Sequence, residues 1–70
     1  MQVSARNQLP GTVRGVTEGA VMAEVRVELD GGQELVAVIT AESVRRLELA
    51  PGSRVRAVIK ATEVLLATGD

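Results

Sequence analysis

Hydrogen-bond donors without a catalytic base mark the start of this chain. Ser4, Arg6, Asn7 and Gln8 bring a hydroxyl, a guanidinium and two carboxamides into five residues of a chain that is 46% hydrophobic. Lys60, the sole lysine, closes a later apolar run. Ser4 and Arg6 are two apart, so on extended backbone they share a face while Ala5 and Asn7 take the other. The chain has no histidine or cysteine, so Ser4, Ser43 and Ser53 have no histidine to activate them. Most of the nine acidic residues fall on wet strand faces or in turns rather than in a cleft where a carboxylate could be tuned. The glycine-rich phosphate loop ending in Lys-Ser/Thr is absent as well. These residues predict a binding protein rather than an enzyme, with no catalytic cofactor and no metal held as a bare cation. Taken singly, a solvated arginine and a lysine guarding a strand end are commonplace.

Donors need a scaffold, and the composition limits what it can be. Seventy residues make one domain, 1–70, and folding at this size hides only about 60% of the surface of the unfolded chain. With no aromatic residue and no disulfide, the core must come from Val, Leu, Ile and Ala. A core that thin leaves apolar surface over, which predicts a homo-oligomer. A net charge of -1 argues against a nucleic-acid partner, which would call for a basic face, and the missing aromatics remove the usual stacking platforms. No apolar run approaches the roughly 20 residues that span a bilayer, and the N-terminus lacks a signal-peptide layout. The expectation is a soluble cytoplasmic protein with no membrane partner.

Hydropathy periods supply the elements. The first strand is expected to bend at Leu9-Pro10-Gly11 and resume over Thr12–Val16, with a turn at Glu18-Gly19. Val21, Ala23, Val25, Val27 and Leu29 alternate with Met22, Glu24, Arg26 and Glu28, a strand with one wet face. Asp30-Gly31-Gly32 reads as the next hairpin turn. Leu35–Ile39 is apolar on both faces, so both are expected to be covered. Thr40 can cap a helix over Ala41–Leu47, with Glu42 in its first turn and Arg45 and Arg46 near its end. Leu49–Gly52 stops that helix. A fourth strand is expected to end at Lys60, and a fifth to cover Glu63–Ala67. The fold class is therefore all-β with one short helix: a five-stranded OB-like Greek-key barrel, helix between strands 3 and 4. A sheet-plus-helix sandwich is the alternative.

Three segments together, Ser4-Ala5-Arg6-Asn7-Gln8-Leu9-Pro10-Gly11, Val38-Ile39-Thr40-Ala41-Glu42-Ser43-Val44 and Val58-Ile59-Lys60-Ala61-Thr62, resemble the molbindin (Mop) family. The same module recurs as the TOBE domain of molybdate-responsive regulators and transporter ATPases. The resemblance implies a hexamer, a trimer of dimers, holding molybdate or tungstate at subunit interfaces. It further implies that Ser4, Arg6 and Lys60 contact the oxyanion, with Ala61 offering its backbone N–H. Thr40 and Ser43 would complete the site from a neighbouring chain, and Asn7 matches the motif in either a binding or a structural role. Ala61 departs from the serine common at this position and removes one hydroxyl. A tetrahedral dianion has acceptors only, so a donor set without carboxylates suits it. A ligand-free oligomeric module is the competing reading, since the two-sided apolar strand serves either.

Overall fold

Alternation along the strands decides which face closes on the core. The computed structural model describes residues 3–69. In chain order it contains β1 (Asn7–Glu18), β2 (Met22–Leu29), β3 (Glu34–Thr40), α1 (Ala41–Arg46), β4 (Arg54–Ile59) and a single 3-10 turn over Ala61–Glu63. Ala23, Val25 and Val27 of β2 are buried, while Met22 before them and Glu24 between them are exposed. Val13 of β1 is fully buried and joins these residues, with Val44 of α1, in one cluster. The four strands form an antiparallel sheet in the order β3-β2-β1-β4. β1 is the long central strand: its first half pairs with β4 and its second half with β2, overlapping at Gly11 and Thr12.

Local chemistry explains the connections. The Gly19 N–H donates to the Met22 carbonyl at 2.8 Å, closing the first hairpin. Gly32 adopts φ +99° and donates to the Leu29 carbonyl in the second, a conformation in which a side chain would be strained. Thr40 leaves β3 extended and caps α1, its Oγ1 accepting the Ser43 N–H at 3.0 Å and donating to Ser43 Oγ at 2.7 Å. Ala41 and Val44 face the sheet and are buried. Thr40→Ala is expected to cost about 1 kcal/mol, the usual worth of such a cap, while Thr40→Ser costs a fraction of that. Urea unfolding of the two variants at one protein concentration checks this.

An exposed tie holds the start of β4. Arg54 donates two hydrogen bonds to Asp30, at 2.8 and 2.9 Å, and a third to Thr12 Oγ1. The bonded guanidinium holds the Asp30 carboxyl below the usual carboxylate range, and Asp30 in turn raises Arg54. The pair fixes where β4 starts against the β2–β3 turn.

The fold class is the expected one, with α1 between the third and fourth strands. Three details differ from expectation. The helix ends at Arg46, with Leu47 as its C-cap, because Leu47 closes the last turn by donating to Ser43. β1 runs unbroken through Pro10; the irregularity is a bulge between Val13 and Gly15. Proline fits because β2 pairing begins only at Gly11, so its missing N–H would have met no β2 strand partner. The third correction is the fifth strand. Glu63 ends the 3-10 turn and residues 64–69 belong to no ladder, leaving a sheet of four strands rather than five. After Ile59 the turn takes the chain out of the sheet, so the tail meets no strand edge of its own chain.

Candidate functional site

Antiparallel pairing of β1 with β4 sets Asn7 opposite Ile59, which brings the residues just before β1 against those just after β4. They enclose an open cleft of about 390 Å³ lined by Ser4, Ala5, Arg6, Lys60, Ala61 and Thr62. Ala5 is buried, and Ser4 and Arg6 on either side of it are exposed, so the alternation expected from the spacing holds. The lining offers two hydroxyls and two cations and no carboxylate. The 3-10 turn adds backbone donors: its hydrogen bonds run from Glu63 and Val64, leaving the Ala61 and Thr62 N–H groups without an acceptor in the turn. Among the described residues the ion pairs are Arg14–Glu28, Arg26–Glu24, Arg45–Glu18 and Arg54–Asp30, so Arg6 and Lys60 are committed to no acid.

Two carboxamides hold the cleft rather than line it. Asn7 Nδ2 donates to the Ile59 carbonyl at 3.1 Å, pinning the end of β4 immediately before Lys60. Gln8 Nε2 donates to the Ala5 carbonyl at 3.2 Å, fixing the bend that presents Ser4 and Arg6. Gln8 Oε1 in turn accepts from Arg56 at 3.2 Å. Asn7, a candidate contact from the sequence, therefore serves the frame.

Thr62 lines the cleft and was not singled out by its sequence context. It ends the Val58-Ile59-Lys60-Ala61-Thr62 segment, and the 3-10 turn that brings it to the cleft replaces the start of the strand expected from Glu63.

Thr40 and Ser43 are elsewhere in this chain. Thr40 pairs with Met22, beside the β1–β2 turn, whereas the cleft adjoins the opposite end of β1. A strand of 12 residues, roughly 40 Å of chain at 3.3 Å per residue, separates the two donor groups. Thus the structure unites Ser4, Arg6, Lys60 and Ala61 and leaves Thr40 and Ser43 outside the group. Among the described residues no cluster of acids could hold a metal cation, and no helix is long and apolar enough to cross a membrane.

Comparison with known proteins is consistent across sequence and structure. Residues 3–66 match the TOBE domain. Molybdenum-pterin-binding protein 1 of Clostridium pasteurianum is 42% identical over 66 residues, 94% of this chain and 97% of the relative. Molybdenum transport protein ModE of Azotobacter vinelandii is 48% identical over 68 residues, but the chain spans only 25% of that protein. Among solved structures, a molybdate-binding protein from Sporomusa ovata superimposes with a TM-score of 0.92 at 44% identity, covering 97% of this chain and all of that one. A molybdate-bound form of the cytoplasmic molybdate-binding protein ModG gives 0.83 at 49% identity, over 87% of this chain and 43% of that one. With the match running nearly end to end and the fold shared with molybdate-binding proteins, this chain belongs to the TOBE domain family, in its molbindin (Mop) branch.

Proposed function

We propose that this protein binds molybdate or tungstate reversibly, as a cytoplasmic store, at sites shared between subunits of a homo-oligomer. The observation that carries the reading is the cleft of Ser4, Arg6, Lys60, Ala61 and Thr62, which offers donors and positive charge with no acid. It is open on one side, and one wall cannot supply every oxygen of a tetrahedral anion with a partner. Thr40 and Ser43, a hydroxyl pair too distant to help within one chain, serve as the second wall when a neighbouring subunit presents them. A hexamer built as a trimer of dimers satisfies that arrangement. The Clostridium relative's name includes a pterin, yet this chain has no aromatic side chain on which a pterin ring could stack, so the bare oxyanion is the better ligand. The anion arrives already wrapped in oxygen, so the protein need only bind it, without catalysis.

Isothermal titration with molybdate, tungstate and sulfate tests the proposal. The expected result is saturable binding of the two heavier anions and preference over sulfate. Absence of heat with molybdate, or equal affinity for sulfate, overturns it. Elemental analysis of freshly purified protein separates this reading from a ligand-free oligomeric module, which would carry neither molybdenum nor tungsten.

A further inference from the structure

Ser4 and Arg6 stand outside the sheet that positions the rest of the cleft. The last ladder pair on that side is Asn7 with Ile59, so residues 3–6 have no strand partner. Ala5 is 8% exposed and seats the segment, but one small buried side chain does not fix how the exposed residues on either side of it are turned. Among the described residues the hydrogen bond that reaches this segment comes from Gln8, whose Nε2 donates to the Ala5 carbonyl at 3.2 Å.

That bond depends on which way the Gln8 amide faces. The two ends of a carboxamide have almost the same shape and differ in that one donates and the other accepts. The second end meets Arg56, whose Nη1 donates to Gln8 Oε1 at 3.2 Å. A guanidinium can only donate and a backbone carbonyl can only accept. Placed between the two, the amide makes both bonds in one orientation and neither in the flipped one.

The register of β1 against β4 explains why Arg56 is available for this. Arg54 and Arg56 are both exposed, two residues apart on the outer face of β4. Arg54 lies opposite Thr12 and is spent on Thr12 and Asp30. Arg56 lies opposite Pro10, whose side chain offers no acceptor, so its guanidinium reaches diagonally to Gln8, the partner of Val58. Among the described residues Arg56 joins no ion pair.

We propose that Arg56 is a positioning residue for the anion cleft: by locking the Gln8 amide it holds the Ala5 carbonyl, and with it the directions in which Ser4 and Arg6 present their donors beside Lys60. The inference rests on the reading of that cleft as the anion site. Arg56 does not line the cleft, so it acts through Gln8 and not on the anion. A pull on the anion by its charge alone would survive the loss of Gln8. A relay does not, because removing either residue breaks the same pair of bonds.

A double-mutant cycle on Arg56→Ala and Gln8→Ala, titrated with molybdate by calorimetry, separates the two roles. Each single variant is expected to weaken binding about 3- to 10-fold, the worth of one hydrogen bond, and the double variant to bind no more weakly than either. Additive losses, or wild-type affinity in Gln8→Ala, overturn the inference. A second readout needs no anion. In NMR spectra of the anion-free protein, Arg56→Ala is expected to shift the Gln8 side-chain amide and the backbone amides of residues 4–6. Gln8→Ala should move the same backbone resonances in the same direction. Unmoved resonances at residues 4–6 in Arg56→Ala overturn the inference whatever the titration gives. Shifted resonances in a protein whose wild type takes up no molybdate would remove the proposed function and leave the hold of Arg56 on this segment in place.

Discussion

Arg6→Ala and Lys60→Ala are each expected to weaken molybdate binding by about 10- to 150-fold, and the double variant to abolish measurable heat. The estimate follows from charge-assisted hydrogen bonds worth about 1.5–3 kcal/mol each, at 1.4 kcal/mol per factor of ten. Both cations line a cleft with no acid, and neither is spent on an ion pair among the described residues. Their removal should therefore leave the fold intact. Arg6→Lys keeps the charge and loses the planar fork that can hold two oxygens at once, so its affinity should fall between wild type and Arg6→Ala. Arg14→Ala is the control for net charge. It removes one positive charge from a residue bonded to Glu28 at 2.6 Å, outside the cleft lining, and should bind as wild type does. Titration calorimetry on the four single variants, with thermal unfolding of each, reads both quantities. Unchanged affinity in Arg6→Ala and Lys60→Ala would contradict the assignment of the cleft.

How far the sequence revealed this arrangement depends on whether a feature is local. The alternation of Ala23 to Val27 and the glycines of the second hairpin are decided by neighbours within a few residues, and the structure follows them, whereas Val21, at the turn before β2, is 70% exposed. Capping of α1 by Thr40 is equally local. The cleft needed more, because Arg6 and Lys60 meet only through the β1–β4 register, which no single stretch encodes. Family resemblance supplied what periodicity could not. Pro10 misled for a related reason: proline disrupts a strand only where its missing N–H faces a partner, and that depends on where β2 stops. Residues 63–67 have strand composition but no edge within their own chain, so a reading that assumes one closed unit counts a strand the single chain does not form. Asn7 and Gln8 were legible as polar and not as ties, since their acceptors are backbone carbonyls at Ile59 and Ala5.

Gly11→Val should be the most damaging single substitution in the sheet, costing about 3 kcal/mol. Gly11 faces Leu29 on one side and Val55 on the other, at the point where β1 passes from one neighbour to the next. A Cβ there would stand 2.7 Å from the Glu28 carbonyl oxygen, 2.8 Å from Val27 Cγ1 and 3.2 Å from the Leu29 Cα. Two of those atoms are backbone and the third belongs to a buried core side chain, so none can swing aside. Overpacking of this kind typically costs 1–3 kcal/mol, and branching at Cβ adds atoms to the same space. A domain of this size has a total stability of only about 4–10 kcal/mol, so the loss is a large fraction of the whole. Gly15 provides the contrast. Its Cβ would meet the guanidinium of Arg26, the mobile end of an exposed side chain, so Gly15→Ala should displace that arginine from Thr17 at small cost. Denaturant unfolding at a fixed protein concentration, which keeps any subunit association constant, measures both variants. The prediction for Gly11 reaches the site as well. β1 carries Asn7 and Gln8, whose bonds to Ile59 and Ala5 hold the two walls of the cleft together. If β1 parts from β2 at Gly11, the segment from Pro10 back to Ser4 loses its anchor, and Gly11→Val should weaken anion binding even under conditions where most of the protein remains folded. An affinity equal to wild type in that folded fraction would mean that the β1–β4 pairing alone holds the cleft.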